Sequence, residues 1–221
     1  MKIRKIILIL FFSSKLLYSD GFKYLWAEYV TIFKKGIDAR EKNIQASVFL
    51  LDGYLLYPNI EFSFIEEVIN KFPEDEMGPA FTIVGDRRVL GIGGGLCQVA
   101  TTLYNVALLS GISIRERKAH SSPVSYVSPG LDATVSKEEN VDLKIQNPYS
   151  FPLKIKAFIE SNKLYMKIYG PFPKKRDVKI VVRKAMKKGD YIETITERII
   201  SEKGKILFSE LISNDRYKID F

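Results

Sequence analysis

The chain has 221 residues, 46% of them hydrophobic and 12% aromatic, which is enough to bury a core and excludes an intrinsically disordered protein. It contains one cysteine and one histidine, which excludes an internal disulfide and leaves no closely spaced zinc ligands. Its formal charge of +8 favours anionic surroundings, such as a membrane surface, a wall polymer or nucleic acid, without choosing among them.

Residues 1–19 predict a signal peptide or an N-terminal anchor. Lys2, Arg4 and Lys5 form a positive start, the apolar run 6–12 follows, and serines come after it. This run is far shorter than the roughly 20 residues that span a bilayer. We therefore expect export, with the protein extracytoplasmic or membrane-anchored in the cell envelope. The alternative is a hydrophobic strand or helix at the start of a cytosolic protein.

The next part of the chain predicts a helix, a hairpin and a short helix in turn. Apolar side chains at three- and four-residue steps over 22–37 indicate an amphipathic helix. Residues 44–57 are rich in β-formers and are broken by Asp52-Gly53, which is typical of a hairpin turn. Ser63 and Glu66 have the spacing of a capping box and should begin a short helix.

Residues 81–111 predict a hairpin that leads through a glycine loop into the principal helix. The hairpin strands are 81–84 and 87–90, and the helix runs from Cys97 to about Leu109, before Ser110-Gly111. One helix face should join the core through Val99, Leu103, Val106 and Ala107. The other, more polar side should face a cleft and carries Cys97, Thr101, Tyr104 and Leu108.

From residue 112 onward the pattern indicates β-structure. The predicted strands are 112–117, 123–127, 131–135, 141–146, 153–158 and 164–169. A composition shift at 170–173 precedes a basic run, 174–188, and a long hairpin made of 191–200 and 205–212.

Together these elements predict an α+β fold. It comprises an N-terminal amphipathic helix, a central cysteine-bearing helix packed on an antiparallel sheet, and a C-terminal β-hairpin appendage. The expected domains are the signal or anchor at 1–19, a main domain at 20–170 and a basic β-rich appendage at 171–221.

A lone thiol, a lone imidazole and a following carboxylate suggest a catalytic site. Cys97, at a helix N-terminus, would be the nucleophile, since the helix dipole and free amides there favour a thiolate and an oxyanion. His120 would be the general acid and base, oriented by Asp132, with Asn147 as a second candidate for that role. Gln98 is a candidate oxyanion donor. The predicted substrate-binding residues are Gly93, Gly94, Gly95, Gln98, Thr101, Tyr104, Ser121 and Tyr126.

The residues alone leave other interpretations open. Cys97 could be a small buried side chain and His120 a hydrogen-bonded strand-end residue. A metal site would have to recruit Asp132 or Asp142, so no metal and no cofactor are expected. The glycine run lacks the Lys-Ser or Lys-Thr of a phosphate loop and the register of a dinucleotide-binding turn.

The motifs of residues 93–135, taken together, are similar to those of the VanW family. They are Gly-Gly-Gly-Leu-Cys-Gln at 93–98, Thr-Thr-Leu-Tyr-Asn at 101–105, His120-Ser121, Pro-Val-Ser-Tyr-Val at 123–127, Pro129-Gly130 and Asp-Ala-Thr-Val at 132–135. The resemblance covers roughly residues 40–170, with Phe62-Ser63-Phe64, Gly78 and Asp142 also fitting. One departure is Pro-Asn-Ile-Glu at 58–61, where members often have Pro-Gly-Glu.

The resemblance implies a bacterial envelope protein that works near peptidoglycan, and it places the family's Cys, His and Asp on Cys97, His120 and Asp132. The expected function is cysteine-dependent amide hydrolysis or acyl transfer on peptidoglycan or its peptide. The alternative is a non-catalytic binding or accessory module associated with glycopeptide resistance. The expected partners are a wall peptide and, through the run 174–188, an anionic membrane or wall polymer. Nucleic acid is not expected, because this run lacks an aromatic platform.

Overall fold

The computed structural model describes residues 21–36, 38–72, 79–84 and 87–219. The α+β class is confirmed, with strand as the main component. Within the described ranges, the three α-helices are α1 (Asp38–Leu51), α2 (Phe64–Glu67) and α3 (Leu96–Ser110), and a 3-10 turn covers Ile69–Lys71. The predicted signal peptide lies outside the described residues. No helix among those described is both long and apolar enough to cross a bilayer.

The strands form four antiparallel sheets. In chain order they are β1 (Tyr24–Ile32), β2 (Leu55–Leu56), β3 (Glu61–Ser63), β4 (Pro79–Val84), β5 (Arg87–Ile92), β6 (Ser113–Glu116), β7 (Lys144–Gln146), β8 (Leu153–Glu160), β9 (Lys163–Gly170), β10 (Asp177–Lys188), β11 (Tyr191–Glu202) and β12 (Lys205–Lys218). The sheet orders are β1-β9-β8-β2, β3-β7-β6, β10-β11-β12, and the hairpin β4-β5.

Helix α3 lies at the centre of the fold. It packs against α1, β1, β6, β9 and β10. Its predicted apolar face, which includes Val99, Leu103 and Val106, is fully buried. The opposite side is buried as well, since Thr101, Tyr104 and Leu108 are each 0% exposed. The predicted cleft-facing surface is therefore restricted to the first turn of the helix, where Cys97 stays partly exposed.

The predicted N-terminal amphipathic helix is wrong. Residues 24–32 form β1, which pairs antiparallel with β9 from Tyr24 opposite Gly170 to Ile32 opposite Lys163. A register shift between Leu25 and Ala27 breaks the strict alternation of a strand. Apolar residues also stand three and four apart in this segment, which imitates a helical stripe, although the segment is rich in β-forming aromatic and β-branched residues.

The predicted hairpin over 44–57 is also wrong, because residues 38–51 form α1. Ile44, Val48 and Leu51 are buried at helical spacing, and this spacing outweighs the β-propensity of the segment. Asp52-Gly53 ends the helix instead of turning a hairpin. The N–H of Asp52 donates to the Val48 carbonyl at 2.8 Å, and Gly53 has φ 82°.

Several other predicted elements are confirmed. The Ser63 hydroxyl accepts a hydrogen bond from the N–H of Glu66 and caps α2. The hairpins β4-β5 and β11-β12 are present, and the second turns through Lys203 and Gly204, which both have positive φ. The C-terminal part is a three-stranded sheet, since the basic run 174–188 contributes β10.

The strands predicted at 123–127 and 131–135 are absent. Residues 117–143 form an irregular segment with two isolated bridges, Lys118 to Thr134 and Ser136 to Val141. Pro123 and Pro129 lack the N–H that a sheet ladder requires, which accounts for part of this difference. The segment matters because it carries both His120 and Asp132 past the start of α3.

Candidate active site

The glycine loop that precedes Cys97 is shaped by its contact with α1. Gly95 caps α3 with φ 102°, and a Cβ atom there would lie 2.9 Å from Ile44 Cγ1 and 3.1 Å from the Arg40 carbonyl oxygen. Only glycine fits both the positive φ and this close approach. Asn43 Nδ2 donates to the Gly94 carbonyl at 3.0 Å and fixes the loop further. The local sequence thereby delivers Cys97 to the first turn of a rigid helix.

Cys97 lies where a substrate carbonyl could be held. Its Sγ donates to the Val135 carbonyl at 3.5 Å, and its side chain is partly exposed. The N–H groups of Leu96 and Gln98 bond to the carbonyls of Gly93 and Gly95. Among the described residues, the N–H of Cys97 itself donates to no backbone oxygen, so it is available to an oxyanion.

The structure brings His120 and Asp132 together in a buried pair. His120 Nδ1 lies 2.6 Å from Asp132 Oδ2, and the backbone N–H of His120 donates to the same oxygen at 2.7 Å. The Cys97 thiol is close enough to the imidazole to raise its pKa. Because Asp132 occupies Nδ1, Nε2 is the ring nitrogen left for the thiol. The order Cys97–His120–Asp132 is that of a nucleophile, a base and an orienting group, although the catalytic role stays a prediction.

Electrostatics favour a charged imidazole in this pair. Burial opposes the charge, but the hydrogen bonds to Asp132 and to Cys97 outweigh burial and raise the pKa of His120 to about 9. Burial likewise opposes the charge of Asp132, while the hydrogen bond from His120 and the nearby Arg117 guanidinium lower its pKa. At neutral pH the pair is therefore an imidazolium next to a carboxylate.

The second oxygen of Asp132 is held by residues that sequence reasoning missed. Oδ1 accepts from the Tyr217 hydroxyl at 2.6 Å and from Arg117 Nη2 at 3.2 Å. Arg117 is itself fixed by Asp215, whose two oxygens lie 2.6 Å from Nη1. Asp215 and Tyr217 belong to β12, and no local sequence signal connects that strand with Asp132.

Two predicted site residues lie close to the pair. Thr101 accepts from the Ala133 N–H at 2.9 Å and so holds the segment next to Asp132. Burial, followed by the proximity of Cys97, raises the pKa of the Tyr126 phenol. Tyr126 therefore borders the thiol, as a substrate-contacting residue must. Ser121 is exposed next to His120, and its carbonyl accepts from the Lys218 N–H at 2.7 Å.

Gln98 and Tyr104 differ from their predicted roles. Gln98 Nε2 donates to Thr31 Oγ1 and to the Ile32 carbonyl, each at 3.0 Å. Both amide hydrogens are thus used to tie α3 to β1, and the side chain offers no oxyanion donor. Tyr104 is fully buried two turns beyond Cys97, with its ring 5.2 Å from the Arg117 guanidinium carbon. It lines a separate cavity of about 500 Å³ between β6 and β12.

Asn147, the second candidate for orienting His120, has a structural role. Its Nδ2 donates to the carbonyls of Leu56 and Phe151, each at 2.8 Å. It ties the end of β2 to the turn before β8 and does not contact His120. The part of the chain that the structure describes contains no cluster of three His, Cys, Asp or Glu side chains arranged to hold a metal ion.

Comparison with known proteins identifies relatives of this chain. A family described as "VanW like protein" matches residues 39–169. The "Uncharacterized protein YoaR" of Bacillus subtilis (strain 168) is 35% identical over 143 residues, which are 65% of this chain and 47% of that protein. The "Vancomycin B-type resistance protein VanW" of Enterococcus faecalis (strain ATCC 700802 / V583) is 26% identical over 133 residues, 58% of this chain and 48% of that protein. The chain thus aligns with about half the length of these relatives, and no solved structure matches it significantly.

Proposed function

The chain belongs to the VanW family, and from this premise we propose that it is a cell-envelope protein that acts on the peptide part of peptidoglycan through a cysteine acyl-enzyme. The observation that carries the proposal is the buried His120–Asp132 pair, joined at 2.6 Å, with the Cys97 thiol close to the imidazole. The name of the Enterococcus relative, a vancomycin B-type resistance protein, supports an envelope setting linked to glycopeptide resistance. The positive, then apolar, start of the sequence supports export.

The acylation step follows from the geometry. Cys97 Sγ attacks an amide carbonyl carbon, and its proton resides on His120. The carbonyl oxygen becomes an oxyanion that the free Cys97 N–H can bind at the start of α3. When the C–N bond breaks, the leaving amine takes the proton from His120 and a thioester remains on Cys97.

The second step returns the enzyme to its starting state. Water or an acceptor amine loses a proton to His120 and attacks the thioester carbon. The C–S bond breaks, the Cys97 sulfur leaves as a thiolate, and the proton remains on His120, as it was before acylation. With water the outcome is amide hydrolysis, and with an amine it is acyl transfer between peptides. Asp132 keeps Nδ1 of His120 occupied throughout, so the same ring nitrogen serves both steps.

The test is incubation of the purified protein with muropeptides, followed by mass spectrometry. We expect new products that carry one added water or one new peptide cross-link. Cys97→Ala, Cys97→Ser and His120→Ala should abolish them, and Asp52→Asn, which removes an exposed carboxylate paired with Lys156, should not. Product formation that persists in Cys97→Ser would refute the cysteine mechanism.

The non-catalytic alternative gives a different result in the same experiment. A binding module should retain muropeptides in both the native protein and Cys97→Ser and should release no product. Alkylation by iodoacetamide provides a second readout, because Cys97 is the only thiol in the chain. We expect rapid alkylation of the native protein that slows in His120→Ala. A thiol that reacts only after denaturation would refute a catalytic cysteine.

A further inference from the structure

The segment that carries Asp132 rests on the C-terminal sheet, which lies outside the matched region 39–169. Gly130 is the point of contact. Its N–H donates to the Tyr217 hydroxyl at 2.7 Å, and its carbonyl accepts from Thr196 Oγ1 at 3.0 Å. A Cβ atom on Gly130 would lie 2.8 Å from Thr196 Oγ1, so the backbone sits directly against the sheet. Strands β11 and β12 thus fix the chain two residues before Asp132.

Tyr217 makes a second connection through the same oxygen. While it accepts from Gly130, it donates to Asp132 Oδ1 at 2.6 Å. Its side chain is 0% exposed, so both hydrogen bonds form away from water. With Oδ1 held by Tyr217, the carboxylate cannot rotate, and Oδ2 stays in line with both nitrogens that it binds on His120.

We propose that Tyr217 is a positioning residue of the active site and that the C-terminal sheet is part of the working unit, since it fixes the carboxylate that orients His120. The expected effect of Tyr217 on turnover rests on the proposed function. Its expected effect on the orientation of Asp132 and His120 does not. Arg117, which Asp215 holds in place, is the other charged group on Oδ1. The other titratable groups near the pair are Cys97, which acts on His120, and Tyr126, which lies near Cys97 and Asp132.

Loss of the Tyr217 hydroxyl should loosen the pair. In Tyr217→Phe the Gly130 N–H and Asp132 Oδ1 both lose a partner, while Arg117 still attracts Oδ1. The carboxylate is then free to turn towards Arg117, which weakens its hydrogen bonds to His120. A tenfold weakening of the hydrogen bonds between Asp132 and His120 corresponds to a fall of about 1 in the pKa of the imidazole. We therefore expect the pKa of His120 to fall by about 1.

The experiment is an NMR pH titration of the imidazole, which is unambiguous because His120 is the only histidine. The matched control is Tyr165→Phe, the same chemical change on a ring that stacks on Phe158 in another sheet, with centroids 4.8 Å apart. We expect a lower pKa of His120 in Tyr217→Phe, an unchanged pKa in the control, and a roughly tenfold slower turnover of muropeptides in Tyr217→Phe alone.

An unchanged or raised pKa of His120 in folded Tyr217→Phe would overturn the proposal. If that variant does not fold, Thr196→Val decides, because it frees the Gly130 carbonyl without touching Asp132. We then expect a smaller fall of the pKa, and no fall would overturn the proposal. The NMR titration does not depend on catalysis. If the wild type converts no muropeptide, the proposed function is refuted, and the titration alone decides whether Tyr217 positions Asp132.

Discussion

The charge on His120 links the site to stability. Its pKa is raised from 6.5 to about 9 in the folded protein, because the hydrogen bonds to Asp132 and Cys97 outweigh burial. A raised pKa stabilises the fold fully below the unfolded value of about 6.5, and this contribution is lost as the pH rises through about 9. The folded state is thus expected to lose stability on the alkaline side.

This loss can be measured against a variant that cannot titrate. We expect the difference in unfolding free energy between the wild type and His120→Gln, taken from urea unfolding, to be larger at pH 6 than at pH 9.5. Turnover should decline over the same alkaline range, because the leaving amine needs the His120 proton. A difference in unfolding free energy that does not change with pH would contradict the charged pair.

Thr101 provides a second test at the scale of single atoms. Thr101→Val keeps the side-chain shape but leaves the buried Ala133 N–H without its acceptor. We expect a loss of about 1–3 kcal/mol in the free energy of unfolding. The matched control is Thr134→Val, because the Thr134 hydroxyl has no hydrogen-bond partner among the described residues. That change should be neutral or stabilising, and equal losses in urea unfolding would contradict the assigned role of Thr101.

That Cys97, His120 and Asp132 meet at one site was predictable from their residue types, while their catalytic role stays a prediction. Cys97 and His120 are unique in the chain, and the helix start at Cys97 follows from the glycines before it. The orientation of Gln98 was not predictable, since its partners Thr31 and Ile32 belong to a strand that the sequence presents as a helix. Arg117, Asp215 and Tyr217 were missed because a pairing across about a hundred residues leaves no periodic signal.

At the scale of elements, the start of α3 depends on Gly95. Gly95→Ala would bring a methyl group to 2.9 Å from Ile44 Cγ1 and 3.1 Å from the Arg40 carbonyl, at a φ of 102°. A positive φ alone costs an L-residue about 1–2 kcal/mol. The matched control is Gly53→Ala, at φ 82° with no atom within 4 Å of the added carbon.

We expect Gly95→Ala to lower the free energy of unfolding by about 1–3 kcal/mol more than Gly53→Ala, because both variants share the cost of positive φ and only Gly95→Ala overpacks the core. Thermal and urea unfolding measure the difference. Alkylation of Cys97 should change in Gly95→Ala alone, since the first turn carries the thiol. Equal destabilisation of the two variants would show that α1 shifts to accommodate the added methyl group without a cost in stability.

The elements themselves were predictable wherever the periodicity was clean. The strands β8, β9 and β11 follow the predicted positions within two residues, whereas β12 begins at the predicted position and runs past the predicted end at 212 to Lys218. The failures at β1 and α1 have one cause, which is that a short apolar segment fits both periods. Ile44, Val48 and Leu51 do carry a helical spacing, but the run Val-Phe-Leu-Leu at 48–51 obscures it by placing exposed Phe49 among them.

At the scale of the whole molecule, the C-terminal sheet caps the central helix. Arg198 is 4% exposed, and its Nη1 donates to the carbonyl of Ile112 at 2.6 Å, just beyond the end of α3. Lys174 Nζ donates to the Leu109 carbonyl, also at 2.6 Å. Two cations thus satisfy carbonyls at the negative end of the helix.

We expect Arg198→Met to lower the free energy of unfolding by roughly 2 kcal/mol or more, because a buried hydrogen bond to a charged group is lost. Arg183→Met is the matched control on the same sheet. Its side chain is 69% exposed and pairs with Glu197 at the surface, where such pairs contribute at most about 1 kcal/mol. If the two variants lose equal unfolding free energy in urea, the C-terminal sheet does not stabilise α3 through Arg198.

The long reach of β12 also has a consequence for folding. Asp215 meets Arg117 across 98 positions of the chain, and Tyr217 meets Asp132 across 85. Contacts this distant in sequence form slowly, because closing the intervening loop costs conformational entropy. During synthesis residues 97–132 emerge well before β12. Cys97 is therefore present before Tyr217 can hold the Asp132 carboxylate. In refolding from urea, α-helical circular dichroism should therefore recover before the His120-dependent reactivity of Cys97.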